Sequence, residues 1–300
     1  MAFRLGVANR ARNPPARRIC CEVPELTEAI GDLTISTHLL RASCTISFNV
    51  TMPTPMTLML RPRSGPNQWV TREDYRITPL VQVSELTDGF GNLNQRLVAP
   101  VGKFEIHTSA DVIIEDEPQP TEDASFVEVP SLPGDVLTYL LPSRYCESDR
   151  FGDMATEIVG ENKAGYAQVT AITKWVHNNI RNIPISSTYP VSAIEVNERR
   201  EGVCRDLAQI SIAMCRALCI PARLVVGYLH GLEPMDLHAW FEAFVGNKWH
   251  TFDPTNLLGG GPRIAIAHGR DSTDVAIYNQ YGPLLLPDTI TVAVKRLELL

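Results

Sequence analysis

The chain has 300 residues, of which 44% are hydrophobic and 20% are charged, a composition typical of a globular protein long enough for two domains. Its formal net charge is −7, which argues against nucleic-acid binding as the main function because neutralising phosphates requires clustered Lys and Arg. No apolar run approaches the roughly 20 residues that cross a bilayer, so we expect neither a nucleic-acid nor a membrane partner.

The N-terminal segment and the cysteines bear on the cellular compartment. Residues 1–30 contain the one local cluster of arginines and lack the apolar run of roughly 7–15 residues that a secretory signal peptide requires. We interpret them as a disordered tail or as a start assigned too far upstream, in preference to a targeting segment. The seven cysteines are odd in number and irregularly spaced, unlike a disulfide framework. A reducing, cytoplasmic location is therefore predicted.

Residues 31–116 alternate short apolar stretches with turn residues, which predicts a β-rich N-terminal domain built as an antiparallel β-sandwich. The strand predicted over residues 45–52 would bury one face, formed by Ile46, Phe48 and Val50. The sequence DGFGN at residues 88–92 predicts a turn between two of the strands, because its glycines can take positive φ.

Residues 117–137 are acidic and rich in proline, a composition that resists both helix and central strand, so they are predicted to form an interdomain linker. The second domain, residues 138–300, begins with helices. One helix is indicated by a set of apolar residues at helical spacing: Val169, Ile172, Val176 and Ile180. Ser192 followed by Glu195 has the pattern of a capping box, which predicts a short helix after Ser192.

A further helix is predicted to begin at Cys204 and to end before Pro221. Its apolar residues follow one stripe, namely Leu207, Ile210, Met214, Ala217 and Leu218. Cys215 and Cys219 fall inside this pattern and are interpreted as packing residues, because free cysteine is among the most buried residue types. Cys204 stands ahead of the stripe, which makes a packing role less suited to it.

A β-hairpin is predicted downstream, because the strands LHAWFEAFV and KWHTF flank Gly246-Asn247, the composition of a two-residue turn. With those two residues in the loop, the ladder brings Trp240 opposite Asp253. His238 lies two residues further along the same face, so its Cβ atom and that of Asp253 are expected to lie about 7–8 Å apart or less. The two side chains are therefore expected to meet.

Cys204, His238 and Asp253 combine the chemistry of a nucleophile, a base and an orienting group. A thiol at a helix N-terminus faces unpaired N–H groups and the positive end of the helix dipole, which favour the thiolate that attacks carbonyl carbon. A neighbouring His would strengthen this effect, and an Asp on its far ring nitrogen would fix the tautomer. The backbone N–H of Cys204 would stabilise the oxyanion. Trp240 and Trp249 lie near this face, as candidate walls of a substrate cleft or as packing residues.

Structural interpretations of the same residues stay open at this stage. Cys204 would then be a buried thiol, His238 a hydrogen-bonded strand histidine, and Asp253 the first residue of the turn DPTN. Zinc ligation by the three residues lacks the close paired spacing of a structural site, so neither a metal nor another cofactor is expected. Asp206, beside Arg205, is interpreted as part of a solvated face or salt bridge, or as a tie between the helix and a neighbouring loop.

Three blocks in the order GVCRD, HAWFE and DPTN resemble the catalytic core of the transglutaminase-like superfamily, specifically the bacterial transglutaminase-like cysteine proteases. The resemblance carries the family nucleophile to Cys204, its histidine to His238 and its aspartate to Asp253. The N-terminal domain, with the motifs LRPR and DGFGN, resembles the β-rich region that precedes this core in bacterial members. In all, the resemblance spans about Leu33 to Glu298.

The resemblance implies an α+β fold, in which the β-sandwich is followed by a papain-like catalytic domain with helices packed on an antiparallel sheet. It also implies acyl transfer from a peptide or protein amide through a thioester, and we find no EF-hand pattern for calcium. Hydrolysis, by a peptidase or isopeptidase, is preferred because it needs only water at the thioester. The alternatives are a transglutaminase, which passes a glutamine acyl group to an amine, and a non-catalytic binding scaffold. Substrate identity and oligomeric state follow from no pattern that we find.

Overall fold

The computed structural model describes residues 37–115, 124–184, 189–257 and 261–298, so the tail predicted over residues 1–30 lies outside the described part. Within these ranges the first strands are β1 (Thr37–Val50), β2 (Thr54–Leu58), β3 (Gln68–Thr78), β4 (Ser84–Thr87), β5 (Leu93–Ala99) and β6 (Gly102–Glu115). The helical region follows, with α1 (Gly152–Val159), α2 (Tyr166–Asn179), β7 (Arg181–Asn182), α3 (Ala193–Arg199), β8 (Glu201–Gly202) and α4 (Cys204–Ala217). The last strands are β9 (Ala222–Leu229), β10 (His238–Val245), β11 (Lys248–Phe252), β12 (Arg263–Gly269), β13 (Tyr278–Gln280) and β14 (Thr289–Leu297).

The N-terminal half is an antiparallel β-sandwich, which confirms the predicted fold class. Its sheets have the strand orders β14-β1-β6-β3 and β13-β2-β5-β4. Along β1 the predicted inward residues Ile46, Phe48 and Val50 are at most 2% exposed, and burying each contributes about 1.5–3 kcal/mol. The ring of Phe48 meets Tyr278 of β13 edge-on, with 5.4 Å between ring centroids. The two sheets therefore share one hydrophobic core.

Strands β13 and β14 come from the C-terminal end of the chain but belong to this sandwich. β14 pairs with β1 from Leu39↔Leu297 to Ser47↔Thr289, and β13 pairs with β2. The prediction that residues 138–300 form the catalytic domain by themselves is therefore wrong at its C-terminal boundary. The physical reason is that β1 hydrogen-bonds on both sides, to β6 and to β14, and a sequence pattern does not say which distant strand fills a sheet edge. By their contacts, the described residues within Ile35–Leu300 form one compact unit.

The predicted linker over residues 117–137 is described from residue 124 onward, and that described part is packed. Gly246 N–H donates to the carbonyl of Ser125 at 2.8 Å, and Tyr166 N–H donates to that of Ala124 at 2.9 Å. Three apolar side chains of the segment form a small buried cluster with Phe244, namely Val127, Leu132 and Val136. The described part contains a short 3₁₀ helix, Val129–Ser131, which includes a proline, and it is anchored to the neighbouring elements by these contacts.

The second half of the chain, which carries Cys204, His238 and Asp253, contains the antiparallel sheet β11-β10-β9-β12. Gly246 and Asn247 form the turn between β10 and β11, with φ of 58° and 62°, values that match the primed turns of two-residue hairpins. Val245 pairs with Lys248, so the predicted hairpin register is confirmed. Helix α4 packs on β9 and β10 and also contacts α1, α2 and α3.

Helix α4 is buried all round from Asp206 to Arg216, whereas its apolar stripe predicted a single buried face. Polar side chains on the remaining faces are satisfied internally, as when Ser211 Oγ donates to the carbonyl of Leu207 at 2.9 Å. Cys215 is buried as predicted, but the packing role predicted for Cys219 is wrong because this residue is exposed. The helix ends at Ala217, and Cys219 takes a left-handed conformation with φ of 58°.

Candidate active site

Cys204 is the first residue of α4 and is partly exposed. Val203 before it is extended, and the N–H of Val203 donates to Oδ2 of Asp206 at 3.2 Å, which ties the entering chain to the first helical turn. The N–H of Cys204 lies in that first turn, where no intrahelical carbonyl is available to it. Both the sulfur and this N–H are therefore presented at the positive end of the helix dipole.

Gly202 explains the glycine in the motif GVCRD. It pairs with Asn182 through the short parallel ladder of β7 and β8. An added Cβ atom at this position would lie 2.9 Å from Cβ of Asp206 and 3.3 Å from its Oδ2. A side chain here would displace the carboxylate that holds Val203, so the close approach requires glycine.

Asp206 and Gln209 fix α4 to the loops on either side. Asp206 is fully buried and is hydrogen-bonded to the backbone of Val191, so the interpretation of a solvated face is wrong and the alternative of a tie to a neighbouring loop is confirmed. Burial raises the pKa of Asp206, although Arg205 at 3.1 Å opposes the rise. Gln209 donates to the carbonyl of Val191 at 3.2 Å and accepts from the N–H of Ser272 at 3.0 Å.

His238, the first residue of β10, lies between Cys204 and Asp253. Its Nε2 is 2.7 Å from Oδ2 of Asp253, so the predicted contact across the hairpin is present. The Cys204 side chain interacts with the same imidazole and helps to raise its pKa. His238 and Asp253 are 3% and 5% exposed, so the pair is shielded from water and the sulfur is its most accessible end.

Opposite charges dominate the ionisation of the buried pair. Burial alone disfavours the imidazolium, but the hydrogen bonds to Asp253 and Cys204 outweigh it and raise the pKa of His238 to about 9. Burial likewise disfavours the carboxylate, but contacts with His238, Thr255 and Arg263 hold the pKa of Asp253 at about 2. At neutral pH the pair is therefore imidazolium and carboxylate.

Asp253 accepts four hydrogen bonds. Oδ1 accepts the N–H of Thr255 at 3.0 Å and its hydroxyl at 2.7 Å, while Oδ2 accepts both His238 and Nη2 of Arg263, the latter at 3.0 Å. The next peptide is held by His177 of α2, whose Nδ1 lies 2.8 Å from the carbonyl of Pro254. The turn pattern DPTN pointed to Thr255, but no local signal in the sequence identified Arg263 or His177.

Comparisons with known proteins identify the family of this chain. Residues 152–254 match the model of the transglutaminase-like superfamily, and residues 52–115 match the bacterial transglutaminase-like N-terminal region. A crystal structure of a candidate cysteine protease from Cytophaga hutchinsonii is 33% identical, with a TM-score of 0.81 over 88% of this chain and 92% of that one. The chain belongs to the transglutaminase-like superfamily. The matches support a cysteine-dependent enzyme.

Two mycobacterial relatives match this superfamily member over shorter stretches. An uncharacterised protein of Mycobacterium leprae is 30% identical over 152 residues, which are 46% of this chain and 53% of that protein. An uncharacterised protein of Mycobacterium tuberculosis is 34% identical over 105 residues, 30% of this chain and 33% of that protein. The chain thus spans about half of the first relative and a third of the second.

The two candidate cleft tryptophans lie in different surroundings in this transglutaminase-like protein. Trp240 is 2% exposed and stacks on His238, with 6.2 Å between ring centroids. Trp249 packs against Tyr139 and Phe244 in the small cluster beside residues 124–137, about 13 Å along the strand direction from the position of Asp253. The structure therefore favours packing, the alternative interpretation, for both side chains.

Gly227 of β9 makes the packing of Trp240 possible. It pairs with His238 across the ladder, and an added Cβ atom would lie 2.9 Å from the outer edge of the Trp240 indole and 2.0 Å from the carbonyl of Ile264. The glycine thus lets both the indole and β12 come close to β9. Gly227 therefore lies between Trp240, which stacks on His238, and β12, which begins with Arg263.

Two further features are defined for the part of the chain that the structure describes. None of its groups of three or more His, Cys, Asp or Glu side chains is arranged to hold a metal ion. Among the same residues, no helix combines the length and the apolar character needed to span a membrane.

Proposed function

We propose that the protein is a cysteine-dependent amide hydrolase, a peptidase or isopeptidase, that works through a thioester on Cys204. The observation that carries the proposal is the position of His238, whose Nε2 lies 2.7 Å from Oδ2 of Asp253 and whose imidazole interacts with the side chain of Cys204. This is the arrangement of a nucleophile, a base and an orienting group. The protease-like fold supports a peptide or protein as the substrate.

The first half-reaction would form the thioester. The proton of this pair already lies on His238 as the imidazolium, so Cys204 attacks as the thiolate, and its sulfur bonds to the carbonyl carbon of the amide. The negative charge that develops on the carbonyl oxygen faces the N–H of Cys204 and the helix dipole, which stabilise it. As the C–N bond breaks, the imidazolium returns its proton to the nitrogen, and the amine leaves.

The second half-reaction would release the acid. Neutral His238 takes a proton from a water molecule whose oxygen attacks the thioester, and collapse of the tetrahedral adduct expels the Cys204 thiolate. Asp253 stays ionised throughout and holds the imidazole, since four donors surround its carboxylate. A primary amine in place of water would give the transglutaminase reaction, so the acceptor alone separates the two enzymes.

Water is favoured as the acceptor on the grounds of similarity and chemistry. The structure that shares 33% identity over most of both chains is described as a candidate cysteine protease, and hydrolysis requires no second binding site. A cytoplasmic location stays a prediction. It is supported by the cysteines within the described residues, all of which are free thiols, as a reducing compartment would leave them.

The first test compares the reactivity of two native thiols. Cys204 and Cys219 are both accessible to some degree, but only Cys204 has an imidazolium partner. We expect iodoacetamide to alkylate Cys204 faster than Cys219 at about pH 5–6, where an ordinary thiol is almost fully protonated. Mass spectrometry of the peptides measures both rates in one sample. Faster alkylation of Cys219 would contradict an activated nucleophile at position 204.

The second test separates hydrolase, transferase and scaffold. A peptide library is incubated in ¹⁸O-water with a biotinylated alkylamine, and the products are identified by mass spectrometry. A hydrolase gives ¹⁸O-labelled acids, a transferase gives biotinylated products, and a scaffold gives neither. We expect labelled acids from the wild type and from the control Cys219→Ala, and at least a 10³-fold loss in Cys204→Ala. Predominant biotinylation would contradict the hydrolase and indicate a transglutaminase. The absence of both products would indicate a non-catalytic scaffold.

A further inference from the structure

Strand β12 lies at the edge of the catalytic sheet and begins with Arg263. The guanidinium of Arg263 is largely buried, donates to Oδ2 of Asp253 at 3.0 Å and lies over the ring of Trp240, 5.8 Å from its centroid. The oxygen that binds His238 is thus shared with Arg263. Movement of β12 would change the distance between Arg263 and Asp253. It would therefore also change the strength of the hydrogen bond that the same oxygen makes to His238.

The outer side of β12 is bound by two amide side chains from the β-sandwich. Gln68 donates through Nε2 to the carbonyl of Ala265 at 2.9 Å, and its Oε1 accepts the N–H of Ala265 at 2.9 Å. Asn92 does the same at His268, with distances of 2.8 Å and 2.9 Å. Each side chain thus replaces the peptide group of an absent neighbouring strand and satisfies an edge that would otherwise be unpaired.

Both amides are themselves fixed within the sandwich. Gln68 is the first residue of β3 and also donates to the carbonyl of Arg63 at 2.6 Å. Asn92 is 3% exposed and closes the turn DGFGN, where its backbone and side chain both bond the carboxylate of Asp88. Ala265 stands at the irregularity in the β9–β12 pairing, a place where the ladder with β9 alone holds the strand less firmly.

We propose that Gln68 and Asn92 are positioning residues, through which the β-sandwich holds β12 so that Arg263 stays against Asp253 and the orientation of His238 is maintained. This inference rests on the proposed function, and it gives the N-terminal half a part in the chemistry that neither family match assigns to it. The charged and titratable groups that face the pair are Arg263 from β12 and Cys204 from α4, while His177 binds the adjacent peptide.

The direction of the effect follows from charge. Arg263 stabilises the carboxylate and opposes a positive charge on the imidazole, so removing the cation raises the pKa of His238 further. We expect Arg263→Gln to raise the titration midpoint of His238 by about one pH unit and to lower kcat on the order of 10–100-fold with KM nearly unchanged. Arg263→Lys retains the positive charge, so its His238 midpoint and its kcat should both lie between those of Arg263→Gln and the wild type.

The test of the coupling is a double-mutant cycle. Gln68→Met removes both hydrogen bonds to Ala265 with little change in side-chain volume, and we expect a smaller shift of the His238 midpoint in the same direction. In the Arg263→Gln background the same substitution should cause no further shift, because Gln68 acts through Arg263. The midpoint is measured by NMR of histidine-labelled full-length protein, and it requires no substrate.

Gln95→Met is the matched control. Gln95 is a 2% exposed sandwich residue whose amide donates to Glu85 and, among the described residues, makes no hydrogen bond to β12, so its loss should lower the melting temperature without moving the His238 midpoint. An effect of Gln68→Met no larger than that of Gln95→Met, or one that is undiminished in the Arg263→Gln background, would overturn the inference. If the wild type shows no hydrolysis, the proposed function fails, while the titration still decides the coupling.

Discussion

The carboxylate of Asp253 carries more hydrogen bonds than the orientation of a histidine requires. Thr255 occupies Oδ1 with two donors, so the carboxyl group is held in one rotation, and Oδ2 is left for His238 and Arg263. The negative charge persists in a buried setting only because these donors replace water. The basicity of His238 therefore depends on a network that spans two strands, β10 and β12, and the turn after β11.

Replacing Asp253 by Asn tests this network at the level of one charge. Burial would then lower the pKa of His238 with no anion opposite to counter it, and the amide would favour the wrong tautomer. We expect hydrolysis at pH 7 to fall by roughly 10²–10⁴-fold. For the wild type, activity should decline as the pH rises through about 9, where His238 loses the proton that the leaving amine needs. In Asp253→Asn this decline should move to lower pH, as a pH–rate profile would show.

Asp271→Asn is the control for that substitution. Asp271 is also fully buried and accepts the N–H groups of Tyr145 and Thr273, but it does not contact His238. The control should lose stability and keep the wild-type pH profile. If both variants shift the profile equally, general loosening of the core explains the effect and the role of Asp253 as orienting group is contradicted.

The sequence was informative about single residues where a local rule constrained them. The two-residue turn set the hairpin register, which predicted the contact of His238 with Asp253 before any fold was assigned. Arg263 follows Asp253 by only ten positions in the chain, but β12 reaches the site through β9, whose place in the sheet depends on long-range pairing. A periodic pattern contains no information on that pairing.

At the scale of single elements, the start of α4 is the most constrained part of the site. Gly202 leaves room for the carboxylate of Asp206, and that carboxylate accepts the N–H of Val203. A change at Gly202 therefore disturbs both of the other residues. We predict that Gly202→Ala displaces Asp206, at a cost of about 1–3 kcal/mol in the free energy of unfolding. It should also slow alkylation of Cys204 at pH 6. Chemical denaturation measures the first effect and mass spectrometry the second.

Gly89→Ala provides a comparison at another turn of the chain. Nothing lies within 4 Å of a Cβ atom added at Gly89, so this variant should unfold and react like the wild type. If Gly202→Ala is destabilised while Cys204 reacts at the wild-type rate, the arrangement around Asp206 supports the helix but does not position the thiol. The glycine before Val203 would then be a requirement of folding alone.

The pairing of elements was less predictable than their existence. The helical spacing of Val169, Ile172 and Val176 and the capping box at Ser192 identified α2 and α3 correctly. By contrast, the assignment of β13 and β14 to the sandwich depends on which exposed edges β1 and β2 offer once they are folded. The same applies to α4, whose polar residues suggested a solvated face until other helices were placed against it.

For the molecule as a whole, the two halves share one hydrophobic cluster that includes Cys44 of β1 and Cys215 of α4. The strands returned by the C-terminal end and the amide contacts to β12 add further connections. Such interpenetration favours a single cooperative unfolding transition over two independent ones, even in a chain well above the size at which two-state behaviour is usual. A sandwich that unfolded by itself could not hold β12 in place, so the positioning role proposed for it requires the two halves to unfold together.

Native thiols allow this cooperativity to be measured directly. Cys44 and Cys215 are 1% and 0% exposed, whereas Cys219 is exposed and serves as an internal reference. We predict that a pulse of iodoacetamide, applied across a denaturant series, labels Cys44 and Cys215 with the same midpoint. Phe48→Ala removes about 3–5 kcal/mol from the sandwich core and should lower both midpoints equally. If Phe48→Ala lowers the midpoint of Cys44 but not that of Cys215, the sandwich unfolds by itself. The half that carries Cys204 would then hold β12 without help from the sandwich.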